Sequence, residues 1–460
     1  MTIRQIFEDT CNSMKAMVCP SRGVASFFVV LLFSAIFSIP LLAQRDQQNN
    51  DDIRRGNRPV EMPESTNELP GDAGVRAHTN HIIVLRPERL QQAASGIPVG
   101  ETPGSLACIY HTSSASFASG CPITGNLASG DNGLPNPSGG SKTIAIVDAF
   151  DYPTAYNDLT VFSNQFGLPV LPQCSTTITT ACFEQVYASG RKPAANGSWA
   201  LEAALDIEWA HAMAPRARIV LVEASSASLT ALFQGVTVAG EVVTQNGGSG
   251  EVSMSWGSSE FSGESSNDKV FQTVGVVYFA AAGDTGGRTI YPSVSPYVVS
   301  AGGTTVNRNT SGDFTSETAW SDGGGGPSSG EGAPSYQTPV ANLVGHRRGT
   351  PDLSFDANPN SGVFVYDSTA FDGSKGWWIL GGTSVASPSL AGIVNLAGLF
   401  DASSTAELNL IYAICGSGPS TKCLNANFRD VTSGSAGRNT SAVGWDFTTG
   451  VGSVQGLAGK

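Results

Sequence analysis

The stretch Lys142-Thr143-Ile144-Ala145-Ile146-Val147-Asp148-Ala149 decides the fold. Its apolar run is continuous rather than alternating, which is the pattern of a strand covered on both faces. Working outward from it, the patterns near 153–166, 198–213 and 227–245 predict helices. Residues 217–224 (ARIVLVEA), 252–256 (VSMSW), 276–282 (VVYFAAA) and 297–303 (YVVSAGG) predict further buried strands, and a last helix is expected to begin at or just after Ser384. Buried strands alternating with helices imply an α/β fold of three layers, α/β/α, around a central, mostly parallel sheet. Sites in such sheets lie beyond the carboxyl ends of the strands.

Three segments carry chemistry. In Gly381-Gly382-Thr383-Ser384-Val385-Ala386-Ser387-Pro388 a serine sits in a glycine-rich turn ahead of an apolar helix. The helix N-terminus there favours developing negative charge. An N-cap serine is the commonplace alternative, and Ala386 excludes the GxSxG elbow. A nucleophilic serine needs a base. None of the histidines, His78, His81, His111, His211 and His346, stands in the sequence context of a subtilisin base. Glu202 and Asp206 are four residues apart in an Ala-, Leu-, Ile- and Trp-rich helix, so they share a face. Two carboxyls held together share a proton at moderately low pH. His211 is nine residues from Glu202, about 900° around the helix at roughly 100° per residue, and so faces away. Asp284, in Ala282-Gly283-Asp284-Thr285-Gly286, follows an apolar strand. It reads either as a turn residue or, when protonated, as a donor to an acyl-transfer oxyanion.

From about Lys142 to Gly452 these segments, in this order, resemble the sedolisin (serine-carboxyl peptidase) family, which has the subtilisin-like fold and works in acid. The resemblance includes Ala214-Pro215, Ser255-Trp256-Gly257, Tyr291-Pro292-Ser293 and Gly302-Gly303-Thr304. It implies Ser384 as nucleophile, Glu202 as general base and acid, Asp206 as its orienting partner and Asp284 as oxyanion donor. A polypeptide substrate is expected to lie extended along Ser255, Trp256 and Gly257 by strand addition. Asp148 stands where a subtilisin keeps its triad aspartate and is read as support for the 202/206 pair.

The family also binds one calcium ion. Here the matching stretch offers the side chains of Asp430 and Asp446 and the carbonyls of Val431, Ala442 and Gly444, within the six to eight oxygens that Ca²⁺ takes. Ala442 replaces a usual glycine, so its carbonyl serves only if the backbone there avoids positive φ.

Residues 24–43 are uncharged and apolar after Lys15 and Arg22, and end in Leu41-Leu42-Ala43. They read as a signal peptide cleaved after Ala43, or else as a membrane anchor; either exports the chain beyond residue 43. Residues 44–104 are expected to be a polar, partly disordered pro-segment, with 44–75 a spacer, and 105–460 the peptidase domain. That pro-segment is shorter than the folded prodomain usual in the family. Beyond the run, Cys108/Cys121, Cys174/Cys182 and Cys415/Cys423 lie close in sequence, as loop-clipping disulfides do. A net charge of −13 argues against nucleic acid as a partner. A secreted, monomeric, acid-active endopeptidase is the reading, and a non-catalytic exported binding protein on a subtilisin-like scaffold is its rival.

Overall fold

The computed structural model describes residues 60–84, 100–113, 120–123, 134–177, 179–415, 423 and 426–460. Residues 1–59, including the apolar run 24–43, lie outside them. Among the described residues no helix is long and apolar enough to cross a membrane.

A ten-stranded sheet forms the middle layer among the described residues. From one edge its order is Phe183–Tyr187, Arg218–Ala224, Thr143–Ala149, Gly250–Met254, Val276–Ala281, Val299–Arg308, Leu353–Asp356, Ser453–Val454 and Phe428–Arg429. All neighbours up to Ser453–Val454 run parallel. The last strand, and Phe314–Ala319 on the flank of Val299–Arg308, run antiparallel. Within Thr143–Ala149 successive side chains feed opposite cores, as a period of two requires. Ile144 and Ile146 pack with the helices Ala155–Phe166, Gly197–Met213 and Thr383–Ala397. Ala145 and Val147 pack with Leu232, Val236, Ala239 and Val243 of the helix Leu229–Gln245. This double coverage is why the strand is apolar throughout.

Helix Gly197–Met213 is buried from Ser198 to Met213, so it shows no polar stripe. Asn196 caps it, its side chain accepting from Trp199 N at 3.1 Å. A Cβ on Gly197 would stand 2.4 Å from the Ala370 carbonyl, so glycine is needed where the hairpin Val363–Phe371/Ser374–Gly381 crosses the helix start. The three expected disulfides, Cys108–Cys121, Cys174–Cys182 and Cys415–Cys423, are formed.

The described part of the expected spacer, from Val60 on, is not free chain. Val60–Glu61 pairs with Ile82–Val84, which pairs with Ser374–Gly381. His78–Thr79 pairs with Trp256–Ser259. Backbone pairing and burial override the polar composition of residues 60–80. Ile82–Val84 thus belongs to a sheet with the hairpin of the main body, although it precedes residue 105.

Candidate active site

The carboxyl ends of three adjacent strands, Thr143–Ala149, Gly250–Met254 and Val276–Ala281, deliver Asp148, Ser255 and Asp284 to one region. The helices Gly197–Met213 and Thr383–Ala397 pack against each other and bring Glu202, Asp206 and Ser384 to it. Glu202, Asp206, Ser255 and Ser384 are fully buried, and Asp148 nearly so.

Ser384 is the second residue of its helix, after Gly382 at φ +108°. Its N–H is one of the donors that a helix start leaves without an intrahelical partner; it donates to the Asn80 carbonyl at 3.1 Å. Four residues on, Pro388 has no N–H to offer the Ser384 carbonyl, which accepts instead from Ser255 Oγ at 3.4 Å. Ser384 Oγ lies 3.4 Å from the Ser255 carbonyl, and the same hydroxyl favours the ionised form of Glu202.

Burial, first of all, raises the affinity of Glu202, Asp206 and Asp148 for protons. The charge of Glu202 raises Asp148 and Asp206 further, and Asp148 also acts on Asp206. Ser255 Oγ donates to Asp206 Oδ1 at 2.8 Å. Asp206 Oδ2, Glu202 Oε1 and both Asp148 oxygens have no hydrogen-bond donor among the described residues. A proton held between neighbouring acids is the donor such oxygens need. Three buried carboxyls with raised proton affinity are therefore gathered here, one more than the pair read from the helix.

Asp284 is held through one of its two oxygens. Its Oδ1 accepts from Thr383 N and Thr383 Oγ1, each at 2.8 Å, and Thr383 Oγ1 in turn accepts from Gly283 N at 3.0 Å. Its Oδ2 is buried with no partner among the described residues. Burial raises its pKa well above the ordinary aspartate value, against the lowering effect of the Thr383 bonds, and the Glu202 charge adds to the rise. A Cβ placed on Gly382 would stand 2.5 Å from that Oδ2 and 2.1 Å from the Asn80 oxygen. The two oxygens thus flank one point, and Gly382 is required there.

His81 is a neighbour of Glu202 that sequence context did not reveal. Its Nδ1 shares a hydrogen bond with Glu202 Oε2, and both side chains are fully buried. Burial lowers the imidazole pKa to about 3 and raises that of Glu202, so it favours the uncharged form of each. His211, in contrast, bonds the Pro169 carbonyl at 3.0 Å, on the side of the helix away from Glu202.

Ser255, Trp256 and Gly257 present backbone to an extended chain. Gly257 pairs with His78 and Trp256 with Thr79, and Asn80 N donates to the Ser255 carbonyl at 3.1 Å. The Trp256 indole points into the protein, donating to the Val147 carbonyl at 2.7 Å. A cavity of about 430 Å³ is lined by Glu61, Arg76, Ser198, Trp199 and Phe371, among others.

The C-terminal acidic pair lies elsewhere. Asp430 accepts from Gly444 N at 3.0 Å. Asp446 Oδ2 accepts from Ala442 N at 2.8 Å, and Oδ1 from Thr448 and Thr449 N–H groups at 2.9 Å. The two carboxylates are close enough that Asp446 raises the Asp430 pKa, after burial. Ala442 is not at positive φ whereas Gly444 is, at +89°, so the backbone condition on an Ala442 carbonyl is met. No group of three or more His, Cys, Asp or Glu side chains suited to a metal occurs among the described residues. A cation here would rest on two carboxylates and main-chain carbonyls, an all-oxygen set that fits calcium.

No family model matches the chain. It is 26% identical to sedolisin of Pseudomonas sp. (strain 101) over 462 residues, 91% of this chain and 71% of that protein. It is 33% identical over 221 residues to kumamolisin of Bacillus sp. (strain MN-32), 42% of this chain and 38% of that one. Xanthomonalisin of Xanthomonas sp. (strain T-22) is 26% identical over 467 residues, 86% of this chain and 51% of the relative. The chain therefore spans about half or less of the length of the latter two. The crystal structure of Pseudomonas sedolisin, a serine-carboxyl proteinase complexed with two molecules of pseudo-iodotyrostatin, superposes with a TM-score of 0.59 at 23% identity. That match covers 78% of this chain and 96% of the other, and it carries the fold.

Proposed function

Because this chain belongs to the sedolisin family of serine-type peptidases with a subtilisin-like fold, we propose that it is an exported endopeptidase that cuts polypeptides in acid through an acyl-enzyme on Ser384. The observation that carries the reading is the meeting of Ser384, Glu202 and Asp284 around a single extended chain.

A peptide pairs with Ser255, Trp256 and Gly257, which sets its carbonyl above the helix start. Ser384 Oγ attacks the carbonyl carbon while Glu202 takes the hydroxyl proton. Asp206, held by Ser255, and Asp148 share protons with Glu202 and keep one carboxylate of the unit available. The oxyanion receives Ser384 N–H and the Asp284 Oδ2 proton. Glu202 then protonates the leaving amine, and water hydrolyses the ester by the same steps in reverse. Acid is needed because Asp284 donates only when protonated, and the lower limit is set where the last proton fills the Glu202 unit.

Asp430, Asp446 and the carbonyls of Val431, Ala442 and Gly444 would hold one calcium ion, which supplies charge neutralisation to the C-terminal loops and takes no part in the reaction. Residues 24–43 and the three disulfides support export, and a single chain carries every proposed catalytic group. The decisive experiment is proteolysis of a denatured protein at about pH 3–5, where paired carboxyls titrate. Activity that vanishes in Ser384→Ala is expected. A variant that digests like the parent would refute the reading, and a parent that binds peptides without cutting them would favour the binding-protein rival.

A further inference from the structure

The strand that offers its edge to a substrate continues past Gly257. Trp256–Ser259 pairs antiparallel with the short strand Ile290–Tyr291, with Ile290 opposite Ser259 and Tyr291 opposite Ser258. Ile290 is buried and stands between two glycines of the site. A Cβ on Gly257 would meet Ile290 Cδ1 at 2.4 Å, and one on Gly283 would meet the same atom at 3.2 Å. Ile290 therefore spaces the substrate edge from the residue that precedes Asp284, and a shift of its backbone moves one against the other.

What holds that backbone is a carboxylate at the end of the edge strand. Glu260 Oε2 accepts from Thr289 Oγ1 at 2.5 Å. Its Oε1 accepts from the Ser328 hydroxyl, from Ser329 N at 2.9 Å and from Gly330 N at 3.2 Å, all on the strand Gly326–Gly332. Burial works against the Glu260 charge, but these hydrogen bonds more than offset it, so its pKa lies below the ordinary glutamate value. Glu260 thus stays ionised further into acid than an exposed glutamate. Glu264 packs behind it, 1% exposed. Its Oε2 accepts from Phe261 N at 2.8 Å, and a Cβ on Gly330 would stand 2.3 Å from its Oε1. Burial raises Glu264 to about 8, against the Phe261 bond, with the charge of Glu260 and a hydrogen bond to it adding to the rise. In acid Glu264 is therefore a neutral partner for the Glu260 charge. Glu331 acts on Glu264 as well, and Glu331 in turn feels Asp268, Glu260 and Arg348.

We propose that Glu260, backed by Glu264, is a positioning residue of the reaction: through Thr289 and Ile290 it fixes the substrate edge Ser255-Trp256-Gly257 relative to Asp284. The proposal rests on the peptidase reading above and adds to it what keeps the two halves of the oxyanion site in register. The edge sets where the reacting carbonyl lies, whereas Asp284 must reach its oxygen, and a misplacement of about 1 Å can cost about a hundredfold.

The test uses the full chain, with kcat and KM on an internally quenched peptide at the acid optimum and Tm by calorimetry for each variant. Thr289→Val removes one hydroxyl and keeps the shape; it is expected to lower kcat about three- to tenfold, the scale of one hydrogen bond, with KM little changed. Glu260→Ala is expected to lower kcat by about ten- to a hundredfold. Glu260→Gln, whose amide can still bond Thr289 and accept from Ser329, is expected to recover most of that loss. In an Asp284→Ala background, Glu260→Ala is expected to cost at least about threefold less than in the parent, since there is no donor left to place. Should Glu260→Ala not fold, Thr289→Val takes its place in the same comparison. Losses that multiply in full with Asp284→Ala overturn the inference and leave the peptidase reading standing. So does a lower Tm with kcat undiminished. A parent that does not cut the peptide brings down both readings.

Discussion

Replacing Asp284 separates its role as a donor from its role as an acid. In Asp284→Ala the oxyanion loses one of its two donors. Removing one such donor costs about 10²–10³ in kcat, roughly 3–4 kcal/mol, and that loss is expected at every pH. Asp284→Asn is a different case. Its amide oxygen can keep both 2.8 Å bonds from Thr383 N and Oγ1. Its NH₂ then falls where Oδ2 now stands, beside the Asn80 oxygen at Gly382. A donor is retained, and it no longer titrates. At the acid optimum the loss is expected to stay within about tenfold, the scale of one imperfect hydrogen bond. The sign of the pH effect follows from burial, which raises the Asp284 pKa. In the parent the donor is present below that pKa and lost as pH rises through it; in the Asn variant that alkaline limb disappears or moves upward. The assay is kcat/KM on an internally quenched peptide across the pH range. An Asn variant whose alkaline limb coincides with the parent's, or an Ala variant with undiminished kcat, would refute the assignment.

Glu202→Gln keeps the size of the base but removes its proton affinity, so kcat is expected to fall by about 10²–10⁴ with KM little changed; undiminished turnover would sink the carboxyl-base mechanism. Stability is expected to fall as pH rises. Burial raises Glu223, Glu331 and Asp367 to about 7 and Glu264 and Glu407 to about 8. The folded protein therefore binds more protons than the unfolded chain between the ordinary carboxyl range and about pH 8, and that contribution is full below this window and lost through it. Calorimetry with Ser384→Ala, which avoids self-digestion, should show a lower Tm at pH 7 than at pH 4, and the opposite order would contradict the proton linkage. Added calcium is expected to raise Tm by mass action, and Asp430→Ala, which has fewer hydrogen bonds to lose than Asp446, should abolish the rise. A calcium response that persists in Asp430→Ala would place the ion elsewhere.

Strands and helices of the central layers were legible because both cores are filled by local patterns. The run 143–149 is observed as Thr143–Ala149, and the expectation near 198–213 as Gly197–Met213. Glu202 and Asp206 could be paired on paper because one helix turn fixes their spacing. Asp148 joins them only because the strand that bears it ends beside their helix. Polarity argued for a free spacer over 44–75, yet from residue 60 the segment is built in, since backbone bonds are indifferent to side-chain polarity.

By itself, then, the sequence determined the layers, the serine at a glycine-rich helix start, the carboxyl pair and the aspartate after a buried strand, all of them features of residues close along the chain. Only the tertiary structure decided what faces those groups. His81 meets Glu202 across 121 positions, and Asn80 meets Ser384 across still more. No periodicity or motif encodes such contacts, because they arise where separate elements close on one another around a cleft. The same closure turns a polar stretch of ordinary composition into a strand that lies along the candidate active site.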